Sequence, residues 1–121
     1  IERKIEGSII TISSQVGIVG GPLRAVYAGA KGAVGQLTRS LAGEWAQHKI
    51  TINAVAPTFT RTPMLEAAVK NPAFAKNLEK VPMGRIAEPE EIASAVLYLI
   101  SPAARMVTGQ VLCVDGGFTA V

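Results

Sequence analysis

Gly7-Ser8-Ile9-Ile10-Thr11-Ile12-Ser13-Ser14, followed by Ala25-Val26-Tyr27-Ala28-Gly29-Ala30-Lys31, decides how the rest of the chain is read. The run Ile9–Ile12 is β-branched throughout and bounded by Gly7 and by two serines. A short run that is apolar on both faces suits a buried strand of a parallel sheet. Gln15 to Arg24, with Gly17, Gly20, Gly21 and Pro22, is expected to be a loop. From about Ala25 to Gln47 the pattern becomes helical, with Val34, Leu37, Leu41 and Trp45 recurring every three or four residues on one face. The small residues of its first turns, Ala28 to Ala33, let another backbone or a ligand come close.

Working towards the carboxyl terminus, Ile50 to Ala56 (ITINAVA) reads as a second strand, ended by Pro57, with a polar loop over Thr58 to Pro63. Met64 to about Lys80 is a weaker helical stretch broken at Asn71-Pro72, and Val81 to Glu88 is loop. Pro89 fits a first helical position, with Glu90 and Glu91 at the positive helix end. Ile92, Ala93, Val96, Leu97, Leu99 and Ile100 predict a largely buried helix, closed by Ser101-Pro102. Gln110 to Val114 is a third strand, and Asp115-Gly116-Gly117 a turn. Towards the amino terminus, Ile1 to Gly7 reads as the last turn of a helix stopped by Gly7, which suggests upstream sequence. Strands alternating with long helices predict an α/β domain with parallel pairing, and ligands in such sheets bind beyond the carboxyl ends of the strands. The chemistry is therefore expected at the Ser13–Arg24 and Pro57–Pro63 loops and the start of the Ala25–Gln47 helix.

At that edge, Tyr27 and Lys31 are four residues apart on a helix and project from one face. A free phenol titrates at about 10, and a neighbouring ammonium or a helix amino terminus favours its ionised form. A tyrosine so placed can hand a proton to a carbonyl oxygen or take one from an alcohol. Ser14, at the end of the preceding strand, can donate a hydrogen bond to the same oxygen. By itself a Tyr-x-x-x-Lys pair occurs on many amphipathic helices where the tyrosine packs and the lysine is solvated. A strand-end serine also often only caps a turn.

The context decides between these readings. Ser14 precedes Tyr27 by 13 positions, Asn53-Ala54-Val55-Ala56-Pro57-Thr58-Phe59-Thr60-Arg61-Thr62-Pro63-Met64 follows the second strand, and Gly109-Gln110 with Val114-Asp115-Gly116-Gly117 closes the chain. Together these motifs resemble, in order and spacing, the carboxyl-terminal half of the short-chain dehydrogenase/reductase family. Pro82-Met83-Gly84-Arg85 and Glu88-Pro89-Glu90-Glu91-Ile92-Ala93 resemble its linker and penultimate helix. The resemblance implies residues 1–121 are the catalytic, carboxyl-terminal part of one Rossmann-like, doubly wound domain whose amino-terminal half is absent. It implies hydride transfer between NAD or NADP and a small carbonyl or secondary alcohol. Tyr27 would be the acid/base, Lys31 its tuner and a ribose ligand, and Ser14 the group that polarises the substrate oxygen. Tyr27, Lys31, Pro57, Thr58, Phe59, Thr60 and Thr62 would contact the cofactor. Arg61, Met64 and the helix after them would cover the substrate. Thr58 stands where the family usually has Gly, which narrows that loop. The family's Gly-rich phosphate turn has no counterpart, since Gly17-Ile18-Val19-Gly20-Gly21 is not G-x-G-x-x-G and lies in a different loop.

Composition bounds the rest. The 121 residues are 49% hydrophobic and 17% charged, with net charge +3, so one domain with a real core is expected. The basic residues are scattered without interleaved aromatics, which argues against nucleic acid as a partner. No 18-residue apolar stretch is present, so no membrane span is expected, and no signal pattern opens the chain. Lone Cys113 allows no intrachain disulfide and no metal site, and fits a buried thiol in a reducing, cytoplasmic setting. His48, past a helix end, reads as surface. The resemblance implies a homo-oligomer, dimer or tetramer, with Trp45 and Val111–Val114 as candidate contacts. A second reading is that the chain alone is an inactive fragment, or a module that associates with itself or an upstream piece, because Ile9–Ile12 would lack a neighbour on one edge.

Overall fold

A computed structural model describes residues 1–2 and 5–121. Three strands, β1 (Gly7–Ile12), β2 (Ile50–Pro57) and β3 (Val111–Val114), form a parallel sheet in the order β1-β2-β3. The expected strand order and parallel pairing are therefore present. The helices are α1 (Val16–Val19), α2 (Ala25–Trp45), α3 (Pro63–Ala68), α4 (Pro72–Ala75) and α5 (Pro89–Ile100). Arg3 and Lys4, within the expected amino-terminal helix end, lie outside the described residues. Glu2 lies in a turn, and Ile5 and Glu6 are irregular.

β2 forms the centre because it is buried along nearly its whole length, with Ile52, Asn53, Ala54, Val55 and Ala56 shielded from solvent. Helix α2 lies over it, with Ala42, Ile50 and Ile52 clustered and Leu41 and Trp45 packed around them. The face of α2 that is buried is Gly35, Thr38 and Ala42, not the expected Val34–Leu37–Leu41–Trp45 stripe; Leu37 is 54% exposed. Small residues win because the helix approaches the sheet backbone closely. A Cβ on Gly35 would touch Val111 Cγ2 at 3.6 Å, and the Thr11 and Thr38 hydroxyls meet at 2.9 Å. The Thr38 hydroxyl also reaches the Val34 carbonyl at 2.8 Å, so a polar pair is satisfied inside the contact.

Three further expectations are corrected. β1 is an edge strand among the described residues, and Ile9 and Ile12 are exposed, so the double-sided burial read from its composition is not met by this chain. In α5 only Leu99 is fully buried, while Leu97 and Ile100 face solvent, because the helix packs on the strands along one stripe. The Gln15–Arg24 loop contains the one-turn helix α1, closed by Val19 N–H to the Gln15 carbonyl and Gly20 N–H to the Val16 carbonyl. A four-residue helix carries no periodicity to find. Its Gly17 is needed for contact rather than for turning: a Cβ there would come within 2.7 Å of the Lys31 carbonyl carbon. The break at Asn71-Pro72 and the start of α5 are as expected. Glu88 and Glu91 form a reciprocal capping box at the latter.

Candidate active site

The site forms where β1 and β2 end and α2 begins. β1 and β2 run in register through Ile12 and Val55, so both chains leave the sheet at one level. Past that level Ser13 N–H bonds to the Val55 carbonyl at 2.8 Å and Gln15 N–H to the Pro57 carbonyl at 3.1 Å. The two exit loops are thereby stitched together before they diverge. Between them lies a cavity of about 910 Å³. Ser14, Tyr27, Pro57, Thr58, Phe59, Thr60 and Thr62 all line it, so seven of the eight residues singled out in the sequence meet at one place.

The eighth, Lys31, stands behind this wall. Its ammonium is 6.0 Å from the Tyr27 ring centroid and donates to the Ile12 carbonyl at 2.9 Å. One helical turn therefore brings the pair together as expected, while the amine is anchored to the end of β1. Tyr27 is 45% exposed, open to a ligand rather than sealed in packing. The two serines of the strand end take different places. Ser13 Oγ donates to the Lys31 carbonyl at 2.8 Å and is tied to α2, whereas Ser14 lines the cavity.

The Thr58–Thr62 loop is held from both sides. Thr58 N–H bonds to the Val114 carbonyl at 3.1 Å, and Phe59 and Arg61 exchange backbone hydrogen bonds with Ala87. Thr60 Oγ1 donates to the Thr58 carbonyl at 3.0 Å, and Thr62 Oγ1 accepts from Leu65 N–H as the cap of α3. Arg61 Nε bonds both carboxylate oxygens of Glu88 at 3.0 Å and is not among the residues that line the cavity, whereas Met64 is. Thr58 keeps a negative φ, so its side chain is carried without left-handed strain, and the glycine usual at this place is not required by the backbone here.

Two buried polar atoms at this junction, Thr58 Oγ1 and Gln15 Oε1, have no hydrogen-bond partner among the described residues. Orphaned buried groups of this kind mark where a polar ligand or water completes a structure. Sequence reasoning missed Gln15, which is only 2% exposed, and Phe74 and Phe118, which meet Phe59 edge-on to complete an aromatic wall. Phe118 is brought back over the site by the turn at Asp115, whose carboxylate accepts from Gly117 N–H and from the amide and hydroxyl of Thr119. The Asp-Gly-Gly motif signalled that turn but not the return of Phe118 to the cavity. Cys113 is half-buried beside a separate cavity of about 300 Å³, and His48 is exposed. Among the described residues no helix is long and apolar enough to cross a membrane.

Comparison with known proteins accounts for this arrangement. A family model described as enoyl-(acyl carrier protein) reductase matches residues 1–119. A tropinone reductase homologue of Datura stramonium is 48% identical over 116 residues, covering 93% of this chain and 43% of that protein. Among solved structures, a putative 2-deoxy-d-gluconate 3-dehydrogenase of Agrobacterium tumefaciens with bound NADP superposes with TM-score 0.91 at 39% identity, over 99% of this chain and 49% of that one. A 4-hydroxyisoleucine dehydrogenase complexed with NADH gives TM-score 0.92 at 35% identity, over 99% and 50%. The chain thus spans about half the length of the proteins it resembles, and it matches the carboxyl-terminal part of their domain. The chain belongs to the short-chain dehydrogenase/reductase family.

Proposed function

We propose that this chain carries the proton-transfer half of an NAD(P)-dependent oxidoreductase that interconverts a small carbonyl compound and a secondary alcohol. The observation that carries the reading is the convergence of Ser14, Tyr27 and the Pro57–Thr62 loop on one cavity, with the Lys31 ammonium one helical turn behind the phenol. Relatives named as reductases and dehydrogenases, in complexes with NADP and with NADH, support the reaction class.

In this reading Tyr27 gives its hydroxyl proton to the substrate oxygen in reduction and accepts one in oxidation. Ser14 donates a hydrogen bond to the same oxygen, holding it and favouring charge on it in the transition state. The nicotinamide, when bound, supplies or accepts the hydride. Thr58, Phe59, Thr60 and Thr62, with Pro57, would hold its carboxamide side, and Lys31 and Tyr27 its ribose. The unpartnered Thr58 Oγ1 and a cavity of about 910 Å³ fit that assignment. Anchoring of Lys31 on Ile12 and of Ser13 on α2 fixes the distance between strand end and phenol, the positioning that hydride transfer demands.

The test is Tyr27→Phe in the intact protein. Turnover should fall by at least about 100-fold, the scale of general acid–base catalysis, while dinucleotide binding followed by fluorescence stays within a few fold. Retained turnover would remove Tyr27 from the chemistry. The exposed edge of β1, with Ile9 and Ile12 open to solvent, supports a second reading in which the 121 residues alone do not bind dinucleotide and associate through that edge.

A further inference from the structure

Arg24 and Lys80 are the charged residues that line the site cavity, and among the described residues no aspartate or glutamate lines it. An adjoining cavity of about 1010 Å³ shares Arg24, Tyr27 and Phe74, and it too is lined by no described carboxylate. Arg24 is the residue immediately before α2, three positions ahead of Tyr27. Its guanidinium carbon lies over the Phe74 ring, 5.1 Å from the centroid. Phe74 meets Phe59 edge-on at 5.6 Å, and Phe59 meets Phe118 at 6.3 Å. A guanidinium stacked on a ring keeps its in-plane N–H groups available to an acceptor.

The neighbouring arginines behave differently. Arg61 is paired with Glu88 and Arg85 with Glu91, each through two carboxylate oxygens. Among the described residues no ion pair engages Arg24 or Lys80. The start of α2 adds to the same sign, since no side chain caps it and no acidic residue sits in its first turn. The rest of the wall mixes the polar side chains of Ser14, Gln15 and the Thr58–Thr62 loop with apolar Val16, Val19, Met64 and Leu65. A cavity whose charged lining is cationic, with no carboxylate among the described residues, is complementary to a ligand that carries an anionic group.

We propose that Arg24 binds a carboxylate of the substrate, which makes the substrate a hydroxy acid in one direction and a keto acid in the other. The inference rests on the oxidoreductase reading and adds the substrate class to it. Arg24 and Tyr27 are three positions apart at the start of α2, a rise of ~5 Å, so in this proposal the carboxylate lies a few bonds from the reacting carbon.

The test measures initial rates of NADPH and NADH oxidation by the intact protein with levulinate and 4-oxocyclohexanecarboxylate, each beside its methyl ester, and with cyclohexanone as a neutral ketone. The acids should exceed their esters in kcat/KM by roughly tenfold or more, the scale of one charge-assisted contact. Arg24→Gln should erase that ratio, mainly through the KM of the acid, and Arg24→Lys should retain part of it. Esters or cyclohexanone reduced as well as the acids by the unmodified protein would overturn the inference while leaving the oxidoreductase reading intact. So would an unchanged acid-to-ester ratio in Arg24→Gln, or a rise in the KM of the dinucleotide instead of the acid. Absence of turnover with all five compounds would overturn this inference, and with Tyr27→Phe indistinguishable from the unmodified protein on every carbonyl tried, the underlying reading as well.

Discussion

Asn53→Ala should destabilise the protein without changing the wall of the site cavity, which Asn53 does not line. Asn53 is fully buried at the middle of β2 and works at both ends of its amide. Nδ2 donates to the Val107 carbonyl at 2.8 Å, and Oδ1 accepts from Gln110 N–H at 3.0 Å. Those bonds hold the segment that leads from Val107 to the start of β3, where Gly109 N–H also reaches the Ile52 carbonyl at 2.7 Å. Truncation to Ala leaves one carbonyl and one amide without partners in a partly enclosed place, at about 1–3 kcal/mol each, and opens a small void. Taking the lower part of that range because water reaches Gln110, the loss is about 2–4 kcal/mol. Urea unfolding, with Gln47→Ala at an exposed position just past α2 as a reference of about 0.5 kcal/mol or less, measures it directly. A loss below about 1 kcal/mol would refute the claim that this amide, and not the ladder alone, holds β3 against β2.

Two further outcomes are expected. Burial raises the Asp115 pKa, but the Thr119 hydroxyl and the amides of Thr119 and Gly117 together outweigh it and hold the carboxyl below its ordinary value. Because the folded-state value is the lower one, the stabilisation is present above about pH 4 and is lost as pH falls through the folded-state pKa. Thr119→Val should therefore destabilise the protein at pH 7 and lose its effect in acid, and a stability difference independent of pH would contradict the carboxylate's part. Separately, the 121-residue chain alone should not bind NADH or NADPH at micromolar concentration, and should sediment as a self-associated species through its β1 edge; calorimetry and sedimentation velocity read the two, and micromolar affinity would exclude the inactive-segment reading.

Legibility in the sequence followed period and chemistry rather than size. β2, α2 and α5 were visible because β-branched runs, helical spacing and a proline at a helix start are local signals. The candidate site was legible through the order and spacing of motifs that resemble one family, since a Tyr-x-x-x-Lys pair alone is common on helices; Ser14, Tyr27 and the Pro57–Thr62 loop line one cavity. What failed depends on neighbours far along the chain. Leu37 carries the helical period of α2, yet Gly35, Thr38 and Ala42 are buried, because close approach to Val111 and Thr11 favours small side chains over large ones. Ile9 reads as interior because an apolar β-branched run suits a strand covered on both faces, whereas among the described residues β1 lies at the sheet edge and Ile9 is 41% exposed. Gln15 and Phe74 gave no signal, since an amide after a serine and a lone aromatic in a broken helix carry no pattern until folding brings them to the cavity.

The adjacent serines show how little sequence separates structure from chemistry at this site. Successive residues leaving a strand point to opposite sides. Ser13 takes the side of α2 and ties to the Lys31 carbonyl, while Lys31 reaches back to the Ile12 carbonyl with its ammonium. Two crossed bonds thus clamp the end of β1 to the second turn of α2, and Gly17 backs onto the same turn with no room for a methyl group. Ser14 and Tyr27 are carried on the two halves of that clamp, so their separation is set by contacts that neither of them makes. Under the proposed reading, a change at Ser13 or Gly17 would therefore act on proton transfer through geometry alone, since neither residue is assigned a contact with the substrate.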